Sequence, residues 1–195
     1  IESEETTHFS IVDKYGNAVS VTTTINGGYG SKVVVKGAGF LLNNEMDDFS
    51  VKPGYPNMFG LVGGEANSIE PNKRMLSSMT PTIIEKNDKL FMVVGTPGGS
   101  TIITSVFQTI LNVIDYGMGM QEAVDSKKFH HQWLPDVLAV EENTLSEKLS
   151  NDLTQIGHKI VKRKTLGRMD CILIMEDGSL EGGADKRGDN IALGY

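Results

Sequence analysis

Thr6-Thr7-His8-Phe9-Ser10-Ile11-Val12-Asp13-Lys14-Tyr15-Gly16-Asn17-Ala18-Val19-Ser20-Val21-Thr22-Thr23-Thr24-Ile25 alternates apolar and hydroxyl-bearing side chains on both sides of a short polar turn. Alternation of this kind marks strands with two unlike faces. The stretch predicts strands over 6–13 and 17–25, joined by Lys14-Tyr15-Gly16. A three-residue loop ending in glycine suits a hairpin, because glycine accepts the left-handed conformation at the bulge. With Asp13 facing Asn17, Thr6 comes to face Thr24. Phe9 and Ile11 then share a face with Val19, Val21 and Ile25, the expected core face. The opposite face carries Thr6, His8, Ser10, Ser20, Thr22 and Thr24. A slip of one residue would exchange the two faces.

Outward from this hairpin, residues 26–80 are loop-rich, punctuated by Gly27-Gly28, Gly37, Gly39, Pro53-Gly54 and Gly63-Gly64. Loops of that length are uncommon in a compact domain unless they build a site. Strands are expected over 82–84 and 90–95, with Lys86-Asn87-Asp88 as the turn. Gly98-Gly99-Ser100 leads into a helix over 101–116, apolar on most sides and so expected between layers. Further helices are expected over 120–128 and 145–156, the second ending at Gly157. Strands over 159–163, 170–175 and 180–184 close the chain. Strands, then helices, then strands predict an α+β fold with an antiparallel sheet covered by helices.

The 195 residues suffice for one core, with 39% apolar and 22% charged residues and a net charge of −7. That balance argues against a nucleic-acid surface, which needs a clustered basic stripe. The one dense basic run, 159–164, reads as an exposed strand edge. No apolar run approaches the roughly 20 residues needed to span a membrane. The acidic opening Ile1-Glu2-Ser3-Glu4-Glu5 is not a signal peptide, so an export signal would lie on another part of the protein. Cys171 is the single cysteine. It is expected in a buried strand as a structural thiol.

Several residues could carry chemistry. A threonine hydroxyl near a chain start can be activated by the chain's own α-amine. Thr6 could play that part only after cleavage between Glu5 and Thr6; otherwise it belongs to a threonine-rich strand. Asp47-Asp48, after Asn43-Asn44-Glu45-Met46, reads as a carboxylate cluster suited to a cation or a ligand ammonium, or simply as a solvated acidic loop. Its spacing lacks a calcium-loop pattern. Ser77 and Ser78 could donate to a carboxylate. Pro97-Gly98-Gly99-Ser100, between a strand and a helix, lets backbone N–H groups approach an anion at a helix N-terminus. The same residues also read as a tight turn with Ser100 as N-cap. His130 and His131 are adjacent, so in a strand they point to opposite faces. No metal site and no cofactor is expected.

Taken together, Thr6-Thr7-His8-Phe9-Ser10, Leu41-Leu42-Asn43-Asn44-Glu45-Met46-Asp47-Asp48-Phe49, Asn72-Lys73-Arg74-Met75-Leu76-Ser77-Ser78-Met79, Pro97-Gly98-Gly99-Ser100 and Phe129-His130-His131-Gln132-Trp133-Leu134-Pro135 resemble gamma-glutamyltranspeptidases, a family of N-terminal nucleophile hydrolases. The resemblance implies a four-layer αββα sandwich, of which this chain supplies the C-terminal half. It implies a proenzyme that cuts itself before the nucleophile Thr6. Residues 1–5 would then be the tail of a large subunit, and 6–195 the small catalytic subunit. It also implies a heterodimer with that large subunit, which would add an arginine for the substrate carboxylate. The substrates would be glutathione or another gamma-glutamyl donor, with an amino acid, peptide or water as acceptor. Carried onto this sequence, Thr24 would bond the nucleophile, and Gly98 and Gly99 would form the oxyanion hole. Asn26, Glu45 and Asp48 would hold the substrate α-amino group, and Ser77 and Ser78 would lie near its α-carboxylate. A periplasmic or extracellular location is the family expectation. Many bacterial relatives have proline where Met75 stands and arginine where Thr101 stands; neither change is expected to touch a catalytic group. The alternatives are a related acylase or transpeptidase of the same superfamily, or a glutamate-binding homologue that never matures.

Overall fold

The computed structural model describes residues 6–194, so the Glu5–Thr6 junction lies outside the described residues. The first hairpin pairs β1 (Thr7–Val12) with β2 (Ala18–Thr23) in the expected register, His8 opposite Thr22 and Ser10 opposite Ser20. Asp13 N–H donates to Asn17 O at 3.0 Å, and Gly16 turns the chain with φ 83°. Both the turn and the pairing follow from the position of one glycine.

The main sheet is antiparallel, in the order β3 (Thr82–Lys86), β4 (Lys89–Val94), β8 (Asp170–Ile174), β9 (Leu180–Ala184). Its first turn is the two-residue type, with Asn87 and Asp88 both at positive φ. Both residue types tolerate that conformation. Met92, Val93 and Val94 are all buried, so β4 is covered on both faces, which explains its unbroken apolar run. Met92, Val94, Cys171 and Leu173 meet α1 (Ile102–Ile114) and α2 (Met120–Asp125) in one core. The β1–β2 hairpin packs on the sheet. A third, mixed sheet joins β5 (Phe129–His130), β6 (Leu138–Glu141) and β7 (Ile160–Arg163), with α3 (Glu147–Gln155) between its last two strands. β5 and β6 lie in a stretch where the sequence offered no run long enough to read. The basic run falls on β7, at the edge of this sheet and mostly exposed.

Two expectations about faces are overturned. On the hairpin, Phe9, Ile11 and Val19 are 42%, 51% and 46% exposed, whereas His8 and Thr22 are buried. The polar face is the inner one. Ser10 Oγ donates to Asp170 O at 2.8 Å and Ser20 Oγ to Val94 O at 3.1 Å. Hydroxyls can face a sheet when each has an acceptor there. The His8 ring lies against Gly95, where a Cβ would fall inside the imidazole. On α1, Ile102, Val106 and Val113 are buried, but Ile103, Phe107 and Ile114 are exposed. Within the described residues that helix is therefore covered on one side only.

A buried ionic cluster ties the third sheet to the C-terminal segment. Arg187 pairs with both Glu141 and Asp185. The Glu141 carboxylate also accepts from Lys128 N–H at 3.0 Å and Leu166 N–H at 2.7 Å. Burial pushes the Lys128 ammonium down to about 8. Among the described residues no helix is long and apolar enough to cross a membrane.

Candidate active site

Thr6 is 8% exposed and stands just before β1. Continuing the β1–β2 ladder one step beyond Thr7–Thr23 sets it opposite Thr24. Thr24 Oγ1 accepts the Asn26 N–H at 2.9 Å, so the hydroxyl keeps its proton to donate. Asn26 is buried with φ 74°. Its Nδ2 donates to Asn44 O at 3.2 Å and reaches Met58 Sδ at 3.5 Å. Asn44 Oδ1 in turn accepts Gly27 N–H at 2.8 Å. These bonds clamp the end of β2 to the segment that begins the acidic cluster.

That cluster is not a loose loop. Glu45–Asp48 forms one 3₁₀ turn, a geometry that stacks residues i and i+3. Glu45 and Asp48 therefore share a side. Burial, then the Asp48 charge, raises the Glu45 carboxyl above its ordinary value. Burial raises Asp48 as well, partly opposed by a hydrogen bond from Ser78 Oγ at 2.9 Å. Asn67 fixes the relation between the two segments. Its Nδ2 donates to Asp48 O at 2.7 Å, and its Oδ1 accepts Leu76 N–H at 3.0 Å. Ser77 is turned differently, with its hydroxyl on Met79 O at 2.9 Å.

Beyond β4 the chain passes through Gly95, Thr96 and Pro97 to Gly98 at φ 140° and Gly99 at φ 55°. The 3₁₀ turn Gly99–Thr101 then runs into α1. The N–H groups of Gly98 and Gly99 donate to no other described residue. Two adjacent free donors at the start of a helix are suited to an anion or a developing oxyanion. Ser100 makes no capping bond. Thr101 does touch this loop, contrary to expectation: its Oγ1 donates to Gly98 O at 2.8 Å.

Thr6 and Pro97 line one cavity of about 1310 Å³, which runs along β1 and over β8 and β9. Gly98 and Gly99 border a smaller one of about 260 Å³, with Met58 and Phe59 on its wall. Neither of these two cavities is lined by Glu45, Asp48, Ser77 or Ser78. Met58 and Phe59 bridge the two halves. Met58 meets Asn26, and the Phe59 ring lies 3.1 Å from where a Gly99 Cβ would stand. These two residues escaped the sequence reading, since nothing in a polar loop marks an inward methionine and phenylalanine. His130 bonds Thr104 and Gln132, each at 2.8 Å, while His131 bonds Asp136 at 3.1 Å. Among the described residues no group of His, Cys, Asp or Glu is arranged to hold a metal ion.

A hairpin stacked on a helix-backed antiparallel sheet is of the αββα type of N-terminal nucleophile hydrolases. The solved structures that match are of that type. The chain superposes on gamma-glutamyltranspeptidase from Pseudomonas nitroreducens complexed with L-DON at a TM-score of 0.90, with 47% identity over 97% of this chain and 99% of that one. An acivicin-inhibited gamma-glutamyltranspeptidase matches at a TM-score of 0.89, with 54% identity over 94% of this chain and 99% of the other. The glutathione hydrolase proenzyme of Escherichia coli is 50% identical over all of this chain and 33% of its own length. The gamma-glutamyltranspeptidase family model matches residues 1–195. The chain belongs to the gamma-glutamyltranspeptidase family. It spans about a third of the length of the proenzyme relatives it matches.

Proposed function

We propose that this chain is the catalytic part of a precursor that hydrolyses or transfers the gamma-glutamyl group of glutathione and related gamma-glutamyl amides. The observation that carries the reading is the Ser78–Asp48 hydrogen bond beside the Glu45–Asp48 turn. That contact sets the acceptors fit for an ammonium beside a serine pair whose hydroxyl protons rest on Asp48 and Met79 O. A substrate carboxylate would draw those protons to itself, so the two charges of an amino-acid head group meet side by side. Partly desolvated carboxylates with raised proton affinity are stabilised when a cation arrives.

In this reading the precursor cuts itself between Glu5 and Thr6, leaving 1–5 on the large subunit and freeing the Thr6 α-amine. That amine takes the Thr6 hydroxyl proton as Oγ attacks the γ-carbonyl. The Gly98 and Gly99 N–H groups receive the oxyanion, and Thr24 donates to Thr6 Oγ. The amine then protonates the departing amide nitrogen, leaving a gamma-glutamyl ester on Thr6. Water or an acceptor amine attacks that ester through the same tetrahedral geometry. Asn26, Glu45 and Asp48 hold the α-ammonium, with Ser77 and Ser78 near the α-carboxylate. An arginine from the large subunit would complete the carboxylate grip as a planar fork.

The remainder of the precursor is the proposed partner. The exposed face of Phe9, Ile11 and Val19, together with the open groove beside β1, supports this. A two-stranded sheet with one apolar face bare is marginal alone. The test is to express the full precursor, sequence the N-terminus of its smaller polypeptide and assay gamma-glutamyl-p-nitroanilide. The expected result is a chain beginning at Thr6 with steady turnover. An uncut precursor, or cleavage elsewhere without turnover, would overturn the reading.

A further inference from the structure

We infer that the buried hydroxyls of Thr96 and Thr101 are positioning groups that aim the two N–H donors of the glycine loop. The inference rests on the assignment of Gly98 and Gly99 as the oxyanion hole. Thr96 Oγ1 donates to Pro97 O at 2.6 Å, and Thr101 Oγ1 donates to Gly98 O at 2.8 Å. Thr101 N–H adds a second bond to the same Gly98 oxygen at 3.1 Å. Both peptides are trans. In a planar trans peptide the N–H points opposite to the C=O. Holding Pro97 O therefore directs Gly98 N–H, and holding Gly98 O directs Gly99 N–H. Each threonine takes the carbonyl end of one peptide and leaves its amide end facing the other way.

Such pins answer a specific weakness. Glycine moves freely across φ/ψ space, so a Gly-Gly peptide can rotate with little disturbance of its flanks. A rotated peptide would present a carbonyl oxygen where the oxyanion develops, turning attraction into repulsion. Donors stabilise a transition state best when they are already aimed.

The pins are themselves anchored. Thr96 and Thr101 are 0% and 5% exposed. Thr96 Oγ1 also accepts Arg168 N–H at 2.6 Å, which commits its own proton to Pro97 O. Gly167, at φ 70°, lies behind the loop, its Cα 3.1 Å from where a Gly98 Cβ would stand. The preceding residue, Leu166, is held at its N–H by the Glu141 carboxylate and at its O by Ser105 Oγ at 3.3 Å. The segment 166–168 thus forms a fixed backing for Pro97 and Gly98.

The test uses the full precursor with Thr96→Val and Thr101→Val, which keep shape and remove the hydroxyl, and Thr96→Ser and Thr101→Ser, which restore it. For matured enzyme, each valine variant should lower kcat for gamma-glutamyl-p-nitroanilide about tenfold, in line with small misplacements at a reacting centre. KM and inhibition by free glutamate should stay within about twofold, and serine should recover most of kcat. Valine variants with kcat within about twofold of the parent would overturn the inference. So would a kcat loss that serine does not repair. A crystal structure of the Thr101→Val precursor gives an activity-independent readout, also where maturation stalls. The expected result is a rotated or multiply placed Gly98–Gly99 peptide, and an unchanged, singly ordered peptide refutes the pin. If the parent precursor shows no gamma-glutamyl turnover at all, the functional reading fails, and the peptide orientation still decides the positioning role.

Discussion

Ser78 gives its hydroxyl proton to the Asp48 carboxylate at 2.9 Å, across a separation of thirty residues that Asn67 holds closed from both sides. An arriving α-ammonium would meet a carboxylate already oriented by its neighbour. Asp48→Ala should therefore act mainly on KM for gamma-glutamyl donors. Removing one partner of a desolvated charge pair costs about 2–5 kcal/mol. Steady-state kinetics with a matched donor lacking the α-amino group gives the control. Its kcat/KM should hardly change further in the variant, and equal losses for both donors would remove the assignment.

The same carboxylate predicts a pH dependence. Burial holds the Asp48 carboxyl above its ordinary range. As pH falls it takes up a proton earlier than an exposed aspartate would, and the ammonium loses its counter-charge. KM should therefore rise at the acidic end, beginning at a higher pH than the usual carboxylate titration. Asp48→Asn should show a high KM with a smaller rise over the same range, the part left to Glu45. A parent profile that stays flat down to the ordinary aspartate value would contradict this.

Thr6→Ala removes the proposed nucleophile for both cleavage and turnover. The precursor should remain one polypeptide on a denaturing gel and hydrolyse no gamma-glutamyl-p-nitroanilide. Cleavage at the Glu5–Thr6 bond in that variant would show that processing does not use the Thr6 hydroxyl.

Gly98→Ala tests the loop directly. A Cβ there would stand 2.7 Å from Thr101 Oγ1 and 3.1 Å from Gly167 Cα, at a φ of 140° that side chains rarely adopt. The expected loss in kcat is about 10²–10³-fold, that of removing one oxyanion donor. Strain of about 1–3 kcal/mol should also lower Tm. A variant with full kcat would show that this loop does not face the reaction.

His8 predicts an acid-sensitive fold. Burial lowers its imidazole to about 4. It sits between Thr22 Oγ1 at 2.7 Å and Ser10 Oγ at 3.1 Å. The unfolded chain takes up a proton near the ordinary value, and the folded chain resists it until far lower pH. The contribution is whole above about 6.5 and is lost as pH falls toward 4. Urea midpoints of the parent should drop across that window more steeply than those of His8→Gln. Parallel curves would exclude His8 as the cause.

The hairpin register was legible because Gly16 leaves the turn few options, and each pairing follows from it. Which face turns inward was not. Phe9, Ile11 and Val19 mark an apolar face correctly, but alternation cannot say whether this chain covers it. Here the hydroxyl face lies on β4 and β8 because Val94 O and Asp170 O accept its protons. The acidic residues were visible as a cluster, whereas their stacking depends on a single 3₁₀ turn that local pattern does not announce. Thr101 illustrates the deepest loss. As a letter it was a harmless departure from arginine; in space its hydroxyl holds the carbonyl of Gly98. A side chain acting on a backbone oxygen three residues away leaves no periodic trace.

The contact of the His8 ring with the bare Cα of Gly95 couples two positions far apart in the chain. Any side chain added at 95 must displace the ring at 8, and a smaller residue at 8 leaves room for one. Across descendants of this gene the two columns should drift together or not at all. A lineage that traded the imidazole for a small residue would be the one free to acquire alanine at 95. Such paired drift would be a historical record of how closely the strand that follows Thr6 lies against the strand that leads to the glycine loop.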